Sequence, residues 1–142
     1  MSDLLVGQVL SLRIWLPYCG IFESKHPYLV LKVDNAQSVV EVGQLHSLKG
    51  KPFEAMRETN KVLFASSPQE TVIDEDSFIQ NNNRIVIENY AGLTHYRRQE
   101  DTLSKNKLDD VIKAYNDYHK HHLIDDDHIV YLTKKDIEEL NT

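Results

Sequence analysis

Residues 6–88 break into short apolar and β-branched runs, each closed by a turn signal, and a helical apolar period appears only after residue 103. That order constrains the fold more than any other feature, because successive strands pair into a sheet and bury one or both of its faces. Residues 6–16 alternate in part and read as the first strand. Pro17, Gly20 and the polar stretch 23–27 follow as a loop. Residues 28–33 are nearly all apolar, so this second strand is expected to be central. Asp34-Asn35 turns the chain into a third strand over residues 38–45. Residues 48–60 read as a loop or short helix and 61–65 as a fourth strand, with 71–73 and 77–79 extending the sheet. Asn81-Asn82-Asn83 is a turn signal ahead of the clearest late strand, residues 84–88.

Beyond it, Ser104 is placed to cap a helix whose apolar positions are Leu108, Val111, Ile112, Tyr115 and Tyr118, ending near His121-His122. Asp125-Asp126-Asp127 reads as a turn and residues 128–132 as a last strand. Thr133 and Asp136 have capping-box spacing, opening a short helix through Leu140. The expected fold is mainly β (α+β), one domain over residues 1–142. A small, mainly antiparallel barrel takes about residues 6–90, and a helical C-terminal part takes about 103–142, with a short terminal extension.

Composition narrows the function classes. One cysteine, Cys19, excludes an internal disulfide framework and a four-cysteine zinc site. No apolar run reaches the ~18 residues of a membrane span, and no basic region precedes an apolar stretch at the start, so a cytoplasmic protein is expected. The net charge of −6 lies wholly in residues 73–142, where nine basic residues face fifteen acidic ones; residues 1–72 balance seven against seven. No basic face for duplex binding is advertised, which leaves room for a local single-strand site in the neutral half.

Several stretches resemble the PemK/MazF-like family of toxin ribonucleases. Gly7-Gln8-Val9 is similar to the family's Gly-x-Val opening. His26-Pro27-Tyr28-Leu29-Val30-Leu31 resembles its Arg-Pro-x-Leu-Val-Leu stretch, and Val42-Gly43-Gln44-Leu45-His46-Ser47 the strand that ends in Thr-Ser. Asp76-Ser77-Phe78-Ile79 with Arg84-Ile85-Val86-Ile87 resembles a later strand pair, and Leu108 to Tyr118 sits where the family has its terminal helix. The resemblance implies an SH3-like barrel and a homodimer that cleaves single-stranded RNA as a hydrolase, without metal or other cofactor, and is neutralised by a cognate antitoxin. It departs at the chemistry: His26 replaces the family's Arg, and His46 its Thr. The same departure suits a second reading, a non-catalytic binding module of a phage or mobile-element accessory protein.

His26 and His46 are the sharpest candidates. RNA cleavage by the 2′-hydroxyl needs a base and an acid, and imidazoles with pKa near ~6.5 suit both roles at neutral pH. A cation must stabilise the phosphorane, and Lys25 is the nearest in sequence, with Lys49 a further choice. Tyr18 and Phe22 can stack nucleobases in the same loop, with Ser47 and Lys49 completing an RNA-binding set; Trp15 and Phe22 equally suit a core or a dimer seam. Glu23 and Ser24 are second-rank, and no thiol-enzyme signature surrounds Cys19. Arg97-Arg98 is an adjacent basic doublet able to hold a phosphate, with Glu100 and Asp101 competing for it. His119 and His122, three apart on one helical face and followed by Asp125–Asp127 and His128, resemble metal-ligating material. Histidines there also suit a helix C-terminus, and the expected set of metal ligands is empty.

Overall fold

A computed structural model describes residues 1–17, 20–21, 25–49, 59–66 and 69–142, with 20–21 described in their backbone alone. The first strand of the sequence reading is two: β1 (Val9–Leu12) and β2 (Trp15–Leu16). The break at Arg13 has a visible cause. The side chain of Asn141 accepts from Arg13 N (2.7 Å) and donates to Arg13 O (2.8 Å), taking the place of a neighbouring strand. Among the described residues β2 pairs with β3 (Gly20–Ile21) alone. β4 (His26–Asp34) and β5 (Val39–Ser47) form the long central hairpin. β6 (Asn60–Leu63), β7 (Ser77–Gln80), β8 (Arg84–Glu88) and β9 (Ile129–Leu132) complete a seven-stranded sheet with β1. Residues 71–73 add no strand, although Val72 and Ile73 are buried.

The pairing is antiparallel except where β9 lies parallel to β8. The main path runs β1-β4-β5-β7-β6 and does not close, so the sheet is barrel-like in order but open. Its branch point is Asn81–Asn83. β7 and β8 both run antiparallel along the same β5, Ser47 opposite Ser77 and Val42 opposite Ile85. The asparagines turn the chain, as their composition predicts, but among the described residues β7 and β8 do not pair with each other; the turn bulges out of one run, which is divided between β6 on one side and β9 on the other. Asn81 N donates to Thr59 O (2.6 Å) and so ties the bulge to the start of β6.

Both faces of the sheet are covered, which is why residues 28–31 are buried without alternation. On one face Leu10, Leu12, Val30, Val40, Val42, Ile85 and Ile87 pack with Val130, Leu132 and Ile137. On the other Val9, Leu29, Leu31, Leu45 and Ile79 pack under helix α1 (Lys105–His121) through Val111 and Tyr115. Fully burying a side chain of this size stabilises by about 1.5–3 kcal/mol. Gly7, at φ +96°, lies where an added Cβ would meet Leu108 Cδ2 at 2.8 Å and Thr102 Cβ at 3.0 Å, so the chain enters β1 close beneath α1.

Two helix starts differ from each other. Ser104 makes no side-chain cap; its N–H donates instead to Glu70 Oε1 (2.8 Å), from a distant segment. At helix α2 (Lys134–Leu140) the capping box is complete, Thr133 and Asp136 each accepting from the other's backbone N–H. The C-terminal stretch is no loose extension: β9 joins the sheet and Ile137 of α2 is wholly buried in its core. Among the described residues no helix is long and apolar enough to cross a membrane.

Candidate functional site

His26 opens β4 opposite Leu12 of β1, and His46 stands one residue from the end of β5. The β4–β5 register reaches Tyr28 opposite Gln44, two residues short of each histidine, so both stand just beyond the same end of that pairing. Both histidines stand at strand ends, as expected of strand–loop junctions, and both are partly buried. Together with Pro27, Leu45, Ser47 and Ser77 they line a cavity of about 370 Å³. On its far side Ile73, Asp74, Glu75 and Arg98 complete the lining. His46 faces Phe78 across the β5–β7 pairing, and the rings stack with centroids 5.1 Å apart at 20°. That contact fixes the plane of the imidazole.

Among the described residues the cation that lines this cavity is Arg98. Lys25 is exposed and does not line it. Arg98 N donates to Val9 O (2.8 Å), which anchors the segment along β1. Its neighbour Arg97 is spent elsewhere, on Asp3 (3.3 Å) and Glu100 (3.9 Å). The basic doublet thus splits, one guanidinium to structure and one to the cavity. Asp74 and Glu75 are both exposed and oppose any anion there.

Ser47 lies at the junction with a second hollow of about 310 Å³, lined also by Leu48, Lys49, Glu75 and Asp76. Ser47 Oγ accepts from Lys49 N (3.2 Å), so these two expected RNA contacts share one turn. Tyr18 and Phe22, with Cys19, Glu23 and Ser24, lie outside the described residues. Trp15 is described and half-exposed, away from this cavity.

Two of the histidines that resembled metal ligands, His119 and His128, hold the asparagine bulge. A ring N–H of His119 donates to Asn81 O (2.8 Å), and the ring packs on Tyr115 with centroids 4.0 Å apart. His128 Nδ1 donates to Asn83 Oδ1 (2.7 Å). His122 stacks on Tyr118 and hydrogen-bonds its carbonyl (3.1 Å). Burial lowers the His119 pKa from its ordinary value, with the Asn81 carbonyl pulling the other way. Among the described residues Asp125, Asp127 and His128 bring their ligand atoms within 4.8 Å of one another, both acids facing solvent.

One constellation had no signal in the sequence. Glu41 is almost fully buried in β5, opposite Lys32 of β4, and Arg84 of β8 reaches it diagonally. Its carboxylate accepts from Tyr115 OH (2.8 Å) and Arg84 Nε (3.3 Å), with Lys32 Nζ at 3.9 Å. In sequence Glu41 is one polar residue inside a strand, and its partners come from three other elements. No protein-family model and no curated protein matches the chain.

Proposed function

We propose that this chain is a PemK/MazF-like toxin, a metal-independent endoribonuclease that cleaves single-stranded RNA in the His26/His46 cavity. One imidazole takes the proton of the 2′-hydroxyl, whose oxygen then attacks the adjacent phosphorus. The other protonates the departing 5′-oxygen, leaving a 2′,3′-cyclic phosphate and a free 5′-hydroxyl. Arg98 stabilises the charge on the phosphorane, the part first given to Lys25. The observation that carries the reading is the convergence of His26, His46 and Arg98 on one cavity from three separate segments. The protein then acts in the cytoplasm as a homodimer and is neutralised by a cognate antitoxin.

A second reading has its own observation. Asp74 and Glu75 on the same wall repel phosphate, as expected of a binding module that cleaves nothing. Incubation of the purified protein with labelled single-stranded RNA in EDTA separates the two. The ribonuclease reading expects fragments ending in cyclic phosphate and a bell-shaped pH profile; intact RNA from a folded protein overturns it in favour of the binding module.

A further inference from the structure

A second cavity, of about 400 Å³, shares no lining residue with the first and opens beside the Glu41 network. Its polar wall is Lys32, Glu41, Arg84 and Tyr115, with His119 behind. Its apolar wall is Leu123, Ile124 and Ile129. Glu41 is the one acid among the described lining residues, and it is already provided for by Arg84 Nε and the Tyr115 hydroxyl. Arg84 and Lys32 therefore leave one positive charge in excess here, on a chain whose net charge is −6.

The geometry of Arg84 decides what that charge is suited to. A guanidinium offers donors along a planar fork, and Glu41 engages it through Nε alone. Among the described residues nothing else engages it, so the end-on edge with both Nη nitrogens is open to a ligand, and the Arg84 side chain is 41% exposed. An end-on fork fixed from behind by a buried carboxylate matches the paired oxygens of a phosphate or carboxylate. Lys32, 59% exposed, adds a mobile charge from the side. Leu123 is 99% exposed at the mouth, a large apolar side chain with no cover, beside the half-buried Ile124 and Ile129. The cavity thus pairs an oriented cation with an apolar wall, the usual make-up of a small-molecule site.

We propose that this cavity binds a small organic oxyanion, a phosphate or carboxylate on an apolar or aromatic body, held end-on by Arg84 and flanked by Lys32. The oxygens take the Nη edge, and the body lies against Leu123, Ile124 and Ile129. This site is independent of RNA cleavage at the His26/His46 cavity.

The test is a titration of the ¹⁵N-labelled full chain with phenyl phosphate, benzoate and inorganic phosphate at constant ionic strength, followed by NMR. Phenyl phosphate or benzoate should move the Arg84 Nε–Hε resonance and the amides of residues 123, 124 and 129, saturating at about millimolar concentration. Inorganic phosphate should bind at least about tenfold more weakly, for want of the apolar body. The tighter of the two aromatic probes names the natural oxyanion as phosphate or carboxylate. Arg84→Gln leaves Glu41 partly unpaired and can unfold the chain, so Leu123→Asp is the companion variant; it keeps the fold and sets a negative charge at the mouth. Leu123→Asp should weaken binding about tenfold and leave any RNA cleavage unchanged. The proposal is overturned by the absence of a saturable shift at Arg84 with either aromatic probe, by shifts that map to Arg98 and His46 instead, or by unaltered affinity in Leu123→Asp.

Discussion

Acidification should weaken the fold in two steps, each belonging to one side chain. Burial holds His119 below its ordinary pKa of 6.5, so the folded state takes up this proton less readily than the unfolded chain. Its contribution is present above pH 6.5 and is lost as pH falls through the lowered value. Glu70 acts further down. Burial alone would raise it, but the Ser104 N–H and the Lys107 ammonium outweigh that and hold it below its ordinary 4.5. Its contribution is present above pH 4.5 and is lost as pH falls through its lowered pKa. Thermal midpoints from about pH 8 to about pH 3 should show both steps, His119→Gln flattening the first and Glu70→Gln the second. Glu70→Gln should also cost about 3 kcal/mol near neutrality, because it removes the carboxylate charge 3.1 Å from the mostly buried Lys107 ammonium, which the Phe64 carbonyl cannot replace. Neither role was legible in the sequence. Glu70 follows a Ser-Ser-Pro break, and its carboxylate finds its donors at Ser104, 34 residues on, and at Lys107. His119 looked like a metal ligand because spacing reports which residues share a helix face, not which carbonyl waits opposite.

Elements with a local signal were read well, and elements defined by distant partners were not. The long central strands followed from branched apolar runs, and α1 from its apolar stripe, with Val111 and Tyr115 buried as that stripe requires. The capping box at Thr133 was legible because both partners lie within one turn of chain. Two misreadings share one cause. The first strand is cut by Asn141, and the start of α1 is held by Glu70 in place of the Ser104 side chain. Each needs a partner that no window of the sequence contains. The tail follows the same logic: Ile137 fills the core, and Asn141 replaces a strand beside Arg13. Thr133→Ala should therefore weaken the whole protein and not only its last helix. The expected loss is about 1 kcal/mol, read as a lower denaturant midpoint at unchanged m-value.

At the scale of the molecule, β5 links two cavities of opposite character. Near its end Leu45, His46 and Ser47 border a cavity where two imidazoles and one guanidinium meet two carboxylates. Near its start Glu41 backs a cavity with cations in excess. The acidic charge of the second half, visible in composition, gave no hint of this division, because charge counts carry no position. The meeting of His26 and His46 at one cavity was more accessible. Both stand where aligned strands of one hairpin end, and only the register was missing from the sequence. Arg98 was named as half of a doublet, but which half faces the cavity depends on the path of an extended segment beside β1. The account's central claim is that these two histidines divide the acid and base work of RNA cleavage. The most direct test compares cleavage of one labelled single-stranded RNA by the wild type, His26→Ala and His46→Gln, all confirmed folded; glutamine is chosen at residue 46 to keep part of the packing on Phe78. The account predicts that each variant loses at least about a hundredfold in rate, the scale of a lost acid or base. Cleavage within a few-fold of wild type in either folded variant would contradict it.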